Sequence, residues 1–524
     1  MQHYSESAQR SDSAYEAGLP PASAREAIII GGGVAGLLAA HVACQHGFHR
    51  VTLLDRDLLG GKVQQETVQE SAARRPGVPQ LCHPHALMMG GIKAFDQLLP
   101  GFTRQLIEAG GKLHDLSQDN YGFDFGLDNS SSRGPCDYKF IAISRRLLEQ
   151  LLRERVIAEN PGKLVVMGGS KVAGLVWSQD GGAVTGVRLG SGTVMPATLV
   201  IDASGRYSSL PLWLEEANWG RPAVKKVDAQ LCYTSCTVQL PEQPVALKGD
   251  PIPDGACNKA RRQSGILTLG RPALRGGIMT AIEGNLATVL LYGYSGDKAP
   301  MDEKGFLQYA ASLNDPEKAL YKVLSVSKPV SPITRYAGLK TALRCYHEMA
   351  MPRGLLVVGD SVVELDPLLA MGMTVTAVGC QVLNSALGET FPAVRLGKAG
   401  SACKAGNAQQ RLDDVQGLRQ LASTFQKRYF KAVSLPWDMH SSEDMRYPGA
   451  KIEGVSKPPR ILSLYFDYVA KAAVRDRFML ATMFSVASML KPPTAMFAPA
   501  MAWGAAKEAA RDVWSLVAGL LTRA

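Results

Sequence analysis

A short apolar run, a helix-like stretch and a second apolar run follow one another near the start of this chain. The two runs are residues 27–30 and 51–54, and the stretch between them has helical composition to about His46. A strand, a helix and a strand in this order form a βαβ unit, in which the strands pair in parallel. The pattern therefore predicts an α/β fold that begins near Ala27.

Apolar and polar residues alternate in the middle of the chain. The period of two is clear in QLCYTSCTVQL (230–240), GGIMTAIEG (276–284) and LATVLLYGYSG (286–296). Alternation of this kind is typical of strands that bury one face. It predicts a mixed β-sheet domain, which we assign to residues 207–345.

The last part of the chain has helical spacing of its apolar positions. The stretches 411–433, 460–484 and 505–521 each have one apolar face. They predict a helical C-terminal region over residues 405–524, and the tract at 395–410 has the composition of a linker before it.

The segment FMLATMFSVASML, residues 478–490, is the longest apolar run in this region. It is shorter than the roughly 18 apolar residues that a membrane-spanning helix needs. Basic residues flank it at Arg475, Arg477 and Lys491. We expect a buried helix here, or an amphipathic anchor that makes peripheral membrane contact.

Composition and charge exclude some classes of protein and leave others open. The 524 residues are 46% hydrophobic, and a formal net charge of +10 suits an anionic cofactor, an acidic lipid surface or nucleic acid equally. Nine cysteines without a CxxC pair argue against a disulfide framework or a structural zinc module. Residues 1–25 lack the features of a secretory signal, so we expect a flexible tail and a cytoplasmic protein.

Three glycines, Gly31, Gly33 and Gly36, have GxGxxG spacing where the first apolar run meets the helix. Such glycines let the backbone approach a pyrophosphate at a helix N-terminus, where free N–H groups and the helix dipole favour negative charge. Asp55 ends the second run and is placed to accept hydrogen bonds from ribose hydroxyls. The unit is predicted to bind a dinucleotide, and this fingerprint fits NAD and FAD equally.

Two segments farther along the chain help to decide between NAD and FAD. Residues 197–210 contain an apolar strand that ends in an aspartate, and residues 353–387 contain a strand, a loop with a proline and a long helix. Together with the glycine motif, they resemble the flavin monooxygenases of the hydroxybenzoate hydroxylase fold. The resemblance implies an α/β architecture with a Rossmann-like FAD-binding domain and a mixed-sheet substrate domain.

The resemblance also assigns further residues to FAD. In that family an aspartate after the last core strand binds the ribityl and pyrophosphate side, and the helix after the proline points its N-terminus at the flavin ring. An arginine in an SRxxL segment opens a helix beside the cofactor. The corresponding residues here are Arg145, Asp202, Gly359, Asp360, Pro367, Gly372 and Met373.

The order of five motifs narrows the resemblance. They are GVPQLCHPH (77–85), ISRRLLE (143–149), VIDASGR (200–206), GLLVVGD (354–360) and SSEDMRYPG (441–449). In this order they are similar to the lasalocid-type flavin epoxidases of polyether biosynthesis, over about residues 27–450. The similarity implies epoxidation of an apolar polyene, terpenoid or polyketide, with one oxygen atom of O2 delivered through a C4a-hydroperoxyflavin.

One position departs from the family. The usual PxxGxG at the helix start reads Pro367-Leu-Leu-Ala370-Met-Gly372, with alanine where the first glycine is expected. A Cβ at this position disfavours a left-handed turn. The departure bears on the oxygen pocket more than on FAD binding.

Two histidines, His83 and His85, lie in a proline-rich loop. An HxH pair can ligate a metal, but no cluster of Asp, Glu or Cys beside it supplies the remaining ligands, so no metal is expected. The resemblance implies that the loop lies near the flavin, and we assign Arg75 and Gln80 to the same contact. Hydrogen bonds that brace the loop, or proton handling, are alternative roles for the histidines.

The substrate pocket is expected among the strands of the second domain. Met279, Leu290, Tyr292 and Met371 would form an adaptable apolar lining. Epoxidation needs no strong base, whereas phenol hydroxylation is helped by one. We therefore assign no catalytic side chain.

Electron supply and domain organisation follow from the motifs. No second dinucleotide fingerprint follows a strand, so NAD(P)H is expected to bind transiently, or a flavin reductase supplies reduced flavin. The FAD-binding domain is expected to be discontinuous, over residues 26–206 and 346–400 with an inserted loop at 61–135. No nucleic-acid partner is expected. Aromatic hydroxylation, prenyl double-bond reduction and non-catalytic binding of a prenylated partner are the alternatives.

Overall fold

The computed structural model describes residues 25–62, 65–116, 120–122, 137–242, 245, 265–268, 274–315, 318–391, 408–473 and 475–521. The predicted N-terminal tail lies outside the described residues, apart from Arg25, as does most of the predicted linker at 395–410. The described residues form four β-sheets with helices packed around them.

The strands are given in chain order. They are β1 (Glu26–Ile30), β2 (Arg50–Leu54), β3 (Ala86–Met88), β4 (Lys112–Asp115), β5 (Asn120–Gly122), β6 (Lys139–Ala142), β7 (Leu164–Met167), β8 (Val172–Trp177), β9 (Val184–Leu189), β10 (Val194–Pro196), β11 (Leu199–Asp202), β12 (Val224–Gln239), β13 (Gly265–Thr268), β14 (Arg275–Ala281), β15 (Leu286–Gly293), β16 (Lys328–Pro329), β17 (Thr334–Arg344), β18 (Leu355–Val357), β19 (Val363–Glu364) and β20 (Lys451–Glu453).

The α-helices are numbered in the same way. They are α1 (Val34–Gln45), α2 (Val68–Arg74), α3 (Met89–Leu98), α4 (Phe102–Glu108), α5 (Arg145–Glu159), α6 (Leu210–Glu216), α7 (Glu303–Ala311), α8 (Ala319–Leu324), α9 (Gly372–Thr390), α10 (Ala408–Asp444), α11 (Arg460–Ala473), α12 (Arg477–Ala487) and α13 (Pro499–Leu521).

A five-stranded parallel sheet forms the centre of the first domain, in the order β18–β11–β1–β2–β7. Its strands are almost continuously apolar because both faces are covered, as is typical of parallel sheets. Ala27, Ile29 and Leu53 are completely buried, and α1 packs against α5 and α9. The predicted βαβ unit is confirmed as β1–α1–β2.

A nine-stranded sheet forms the second layer. Its main path is β19–β17–β12–β15–β14–β13–β5, with β16 and β20 also paired to β12. The pairing is antiparallel except between β13 and β5. The sheet contains the alternating stretches described above, but β5, β19 and β20 join it from outside residues 207–345. Strands distant in sequence extend it because sheet edges pair with any strand that lies beside them.

The insertion and the C-terminal region have their own elements. The described part of residues 61–135, expected as an inserted loop, includes α2, α3 and α4, and β3 and β4 pair with β6. Helix α10 packs against α9, and α11, α12 and α13 pack against one another. None of the helices in the described part of the chain has the length and apolarity that a membrane-spanning segment needs.

Candidate functional site

A cleft lies at the carboxyl end of β1 and β2 and extends to the second sheet. Its cavity volume is about 340 Å³, within the range of small-molecule sites. In parallel α/β sheets, ligands bind beyond the carboxyl ends of the strands. The cleft contains most of the residues that the motifs single out, namely Gly31, Gly33, Asp55, Arg75, Gln80, His83, His85, Arg145, Leu290, Asp360, Pro367, Gly372 and Met373.

The three motif glycines have three different environments. Gly31 has a φ of +106°, and a Cβ there would overlap the carbonyl of Ala203. Gly36 lies away from the cleft, and its Cβ would overlap the carbonyl of Gly31, so this glycine lets α1 start close to the strand. Gly33 faces the cleft, and a Cβ there would meet no described atom within 4 Å.

The N-terminus of α1 is open towards the cleft. Gly33 is its N-cap residue and has no side-chain capping hydrogen bond. The first N–H groups of a helix have no partner within the helix, so an uncapped end is available to an anion. This open, side-chain-free helix start fits the pyrophosphate of a dinucleotide.

Asp55 supports the glycine turn from the end of β2. Its Oδ2 accepts the Gly32 N–H at 2.5 Å, and its Oδ1 accepts the Asp57 N–H at 2.7 Å. Oδ1 also lies 3.1 Å from Nη1 of Arg75. Each carboxylate oxygen accepts about two hydrogen bonds, so Asp55, which lines the cleft, keeps little capacity for a ribose. The predicted ribose contact stays a prediction.

Arg75 is the centre of a buried ion-pair cluster at the cleft. Its Nη2 lies 2.6 Å from Glu149 Oε1, and its Nη1 lies 3.5 Å from Asp57 Oδ2. Arg145 lies 3.4 Å from the other Glu149 oxygen. Burial opposes the charge of Arg75, but Glu149 and Asp55 raise its pKa above the usual range. Burial also opposes ionisation of Glu149, and Arg75 and Arg145 nevertheless lower the pKa of this carboxyl.

The histidine loop reaches the boundary between the two sheets. The His83 ring meets Tyr233 edge-on, with centroids 4.6 Å apart, and stacks on Tyr336 at 5.6 Å. His85 contacts the His83 carbonyl through Nδ1 at 2.8 Å. Burial lowers the pKa of His83 to about 3, and burial together with Arg145 lowers the pKa of His85 to about 3. Both rings are therefore neutral at physiological pH and are weak bases.

The loop before α9 forms the opposite wall. The Gly359 N–H donates to the Tyr429 hydroxyl at 2.8 Å, and the next residue, Asp360, lines the cleft. Ala370 has φ +54° and ψ +29°, so the alanine adopts the left-handed conformation that the sequence marks as unfavourable. Helix α9 then starts at Gly372, where a Cβ would meet open space.

Asp202 and Met371 are not among the residues that line the cleft, and their assignment stays a prediction. Asp202 is 1% exposed and organises the turn that follows β11: its Oδ1 accepts the Ser204 N–H and its Oδ2 accepts the Ser208 hydroxyl. Met371 is buried in the core of the first domain. Gly359 has a positive φ and is not among the lining residues, whereas the next residue, Asp360, lines the cleft.

Met279 and Tyr292 are also not among the residues that line the cleft. Side chains alternate between the faces of a strand, and Ile278, which pairs with Leu290, faces the cleft. Met279 therefore points to the opposite face, where it packs near Phe306 in a separate core. Tyr292 shares the face of Leu290 but is buried farther along the strand.

Several cleft residues escaped the sequence prediction. Arg206 lies 3.1 Å from Glu364 and over the Tyr336 ring at 5.4 Å. Glu149 is a charged residue one helical turn from Arg145, a spacing that could have indicated the buried pair. Arg206 and Tyr336 left no such signal, because their partners lie far along the chain. The cleft residues missed include Asp57, Arg206, Tyr207, Trp213, Tyr233, Tyr336, Leu339 and Asp366, and Glu149 pairs with Arg75 behind them.

A group that could hold a metal lies elsewhere. Among the described residues, Cys345, His347 and Glu348 bring their ligand atoms within 4.8 Å of one another. Glu348 is already paired with Lys225 at 2.8 Å. The Lys225 ammonium already neutralises the Glu348 carboxylate, which a metal ion would need as a ligand, so we assign no metal there.

Comparisons with known proteins agree with this architecture. Residues 29–90 match the family model described as an NAD(P)-binding Rossmann-like domain. The chain is 27% identical to Protein Rv3254 of Mycobacterium tuberculosis over 467 residues, which cover 86% of each protein.

Solved structures are similar at lower identity. One is PqsL of Pseudomonas aeruginosa, a probable FAD-dependent monooxygenase, with 14% identity and a TM-score of 0.50 over 81% of this chain and 98% of that chain. Another is the flavin-dependent brominase Bmp2, with 12% identity and a TM-score of 0.55 over 89% of this chain and 96% of that chain. The expected fold class is thereby confirmed: a Rossmann-like domain of the hydroxybenzoate hydroxylase type, joined to a mixed sheet and C-terminal helices.

Proposed function

We propose that this protein binds FAD in the cleft and is a flavin-dependent monooxygenase that epoxidises an apolar alkene. The fold supports the cofactor class, since similar structures include a probable FAD-dependent monooxygenase and a flavin-dependent brominase. When bound and reduced, by NAD(P)H or by a partner reductase, FAD supplies oxygen activated from O2.

Different residues along the cleft would bind different parts of FAD. The open start of α1 at Gly33 would take the pyrophosphate, and Asp55 would contact the adenosine ribose beside it. Asp360 would take the ribityl side. The start of α9, at Gly372 and Met373, would place its positive dipole end near the pyrimidine part of the ring, where negative charge develops.

The proposal that the substrate is an apolar alkene rests on an apolar wall of the cleft beyond these residues. The wall is formed by Ile278, Leu290, Leu339, Leu365 and Leu368. An apolar pocket orients a hydrocarbon and excludes water from the reacting atoms. Two polar residues at its edge, His83 and Tyr233, are unsuited to act as bases near neutral pH. Burial lowers the pKa of His83 to about 3, so the ring is a weak base, and it raises the pKa of Tyr233, so the phenol stays protonated. Epoxidation needs no strong base, so this combination favours it over phenol hydroxylation.

The C-terminal helices support a second, peripheral role. Trp503 and Trp514 on α13 are 65% and 75% exposed, and Lys507 lies over the Trp503 ring at 5.4 Å. Exposed aromatic rings with neighbouring cations are typical of helices at an anionic membrane surface. We propose that the protein contacts membranes through this face while it takes up an apolar substrate.

The test of the activity uses the purified full-length chain. FAD content is measured first, and the reduced protein is then mixed with isotopically labelled O2 and a linear polyene, a phenol or a prenyl chain. The polyene is expected to gain one labelled oxygen atom. Labelled oxygen in the phenol alone would overturn epoxidation, and saturation of the prenyl chain without oxygen would identify a reductase.

A further inference from the structure

Two aspartates meet beside the cleft. Asp366 lies in the turn before α9 and lines the cleft, and Asp444 is the last residue of α10. They are 5% and 2% exposed, Thr341 bridges them, and the Asp366 carboxyl is close enough to raise the pKa of Asp444. Two buried carboxylates in contact repel each other strongly, so at least one of them is expected to be neutral.

The hydrogen bonds around the pair show which carboxyl oxygens have a donor and which one has none. Asp366 Oδ1 accepts the Leu368 N–H at 2.7 Å, and Oδ2 accepts the Tyr294 hydroxyl at 3.0 Å. The Thr341 hydroxyl donates to Asp444 Oδ2 at 2.6 Å and accepts the Asp366 N–H at 3.3 Å. Asp444 Oδ1 is inaccessible to solvent and has no partner among the described residues. A buried carboxylate oxygen without a donor is costly.

Neutral groups donate hydrogen bonds to both carboxyl groups. In the part of the chain that the structure describes, they are the Tyr294 and Thr341 hydroxyls and the Leu368 N–H. The titratable groups facing the pair are Asp228, His440, Tyr233, Tyr294 and Tyr447. Burial lowers the pKa of His440, so this ring is neutral as well. Burial and the Asp366 carboxyl raise the pKa of Asp444 well above its usual range.

We propose that Asp366 and Asp444 share one proton, and that this acid pair positions the turn over residues 366–371 at the start of α9. The proton fills the contact between the two carboxyls and leaves Asp366 Oδ1 free to hold the Leu368 N–H. The turn that it anchors contains the strained Ala370. Since the same turn would meet the flavin, the positioning role rests on the proposed function.

The test compares Asp444→Asn with Asp444→Ala in the full chain. An amide at 444 donates a hydrogen bond to Asp366 without taking up a proton, whereas alanine cannot donate. Asp302→Asn is the control for a change from aspartate to asparagine away from the pair, because Asp302 is the N-cap residue of α7 and asparagine caps a helix equally well.

The pH dependence has a defined sign. A carboxyl whose pKa is raised by folding keeps a proton that the unfolded chain releases, so its contribution to stability is present at low pH and is lost as the pH rises. The unfolding temperature of the wild type and of Asp302→Asn is expected to fall between about pH 6 and pH 9. For Asp444→Asn the fall should be clearly smaller. Equal falls in all three proteins would overturn the shared proton.

Two further readouts separate this proposal from the proposed function. Infrared spectra at about pH 8 should contain the band of a buried protonated carboxyl in the wild type and lack it in Asp444→Asn. Its absence from the wild type would overturn the acid pair whether or not FAD binds. FAD should bind Asp444→Ala about tenfold more weakly and Asp444→Asn about normally, as the loss of a hydrogen bond to a charged group predicts. Equal affinities of both variants would overturn the positioning role, and a wild type that never binds FAD would overturn the proposed function instead.

Discussion

Single glycines and one alanine set the shape of the cleft. At Gly31 the positive φ and the nearby Ala203 carbonyl leave no room for a side chain. At Gly33 neither constraint applies, because its φ is −78° and the space beside it is open. Neither the backbone conformation nor the neighbouring atoms therefore require a glycine at 33, and the proposed contact with a pyrophosphate there can be tested.

We expect Gly33→Val to fold normally and to lose FAD. The valine side chain would occupy the start of α1, where the pyrophosphate would approach the backbone. FAD content after purification and circular dichroism would be measured together. Gly174→Val is the control, since this glycine in β8 also has open space at its Cβ. Normal FAD content in Gly33→Val would contradict the assignment of the pyrophosphate to α1.

Ala370→Gly should stabilise the protein modestly. A left-handed alanine costs roughly 1–2 kcal/mol, and the greater freedom of glycine in the unfolded chain offsets about 0.4–1 kcal/mol of the gain. Urea unfolding is expected to give about 0.5–1 kcal/mol more stability. The exposed helical Ala506→Gly should instead lose about 1 kcal/mol. A loss in Ala370→Gly would mean that the left-handed conformation is not maintained in solution.

At the scale of elements, α10 links the C-terminal region to the cleft. Gln426 donates its Nε2–H to the Val357 carbonyl at 3.1 Å, and the Tyr429 hydroxyl accepts the Gly359 N–H one turn later. Both contacts brace the loop between β18 and Asp360 from behind. The helix therefore acts on the cofactor side of the cleft without lining it.

Tyr429→Phe should weaken this brace. The Gly359 N–H would lose its buried acceptor, which costs about 1–3 kcal/mol. The unfolding temperature is expected to fall because the hydrogen bond is lost. The affinity for FAD is expected to fall as well, because the loop presents Asp360 to the cleft. Tyr468→Phe is the control, because it removes the same hydroxyl group from the partly exposed helix α11. If both variants behave alike, the hydrogen bond from Gly359 contributes nothing measurable.

At the scale of the whole molecule, the cleft and the proposed membrane face belong to different regions. The cleft joins the parallel sheet to the second sheet, while Trp503 and Trp514 belong to α13. They are eleven residues apart, close to three helical turns, so they lie on one face. If the substrate is apolar, as proposed, such a face would bring the protein to the membrane into which the substrate partitions.

We expect the protein to co-sediment with vesicles that contain anionic lipid, and to do so less at high salt because ionic strength screens the attraction. Replacing both Trp503 and Trp514 by alanine should reduce the bound fraction several-fold. The paired control is Leu212→Ala with Val326→Ala, which removes exposed apolar residues outside the C-terminal helices. Equal binding of the two double variants would exclude α13 as the contact.

Local spacing was sufficient to bring Gly31, Gly33 and Asp55 together at one end of the cleft. Gly31, Gly33 and Asp55 depend on a strand, a turn and a helix that are contiguous in the chain, and so their relation is visible in sequence. Met279 packs on the face of the second sheet opposite the cleft. The sequence does not show this, because both faces of the sheet are buried and apolar alternation does not reveal which one meets the cleft.

The sequence by itself determined the α/β class, the βαβ unit and the position of the glycine turn, because each depends on residues close together in the chain. Only the tertiary structure decided which charges are paired, as with Arg75 and Glu149, and that Asp366 meets Asp444 from the far end of α10. Such contacts arise when separate elements pack, and no local pattern encodes the distance between side chains that packing brings together.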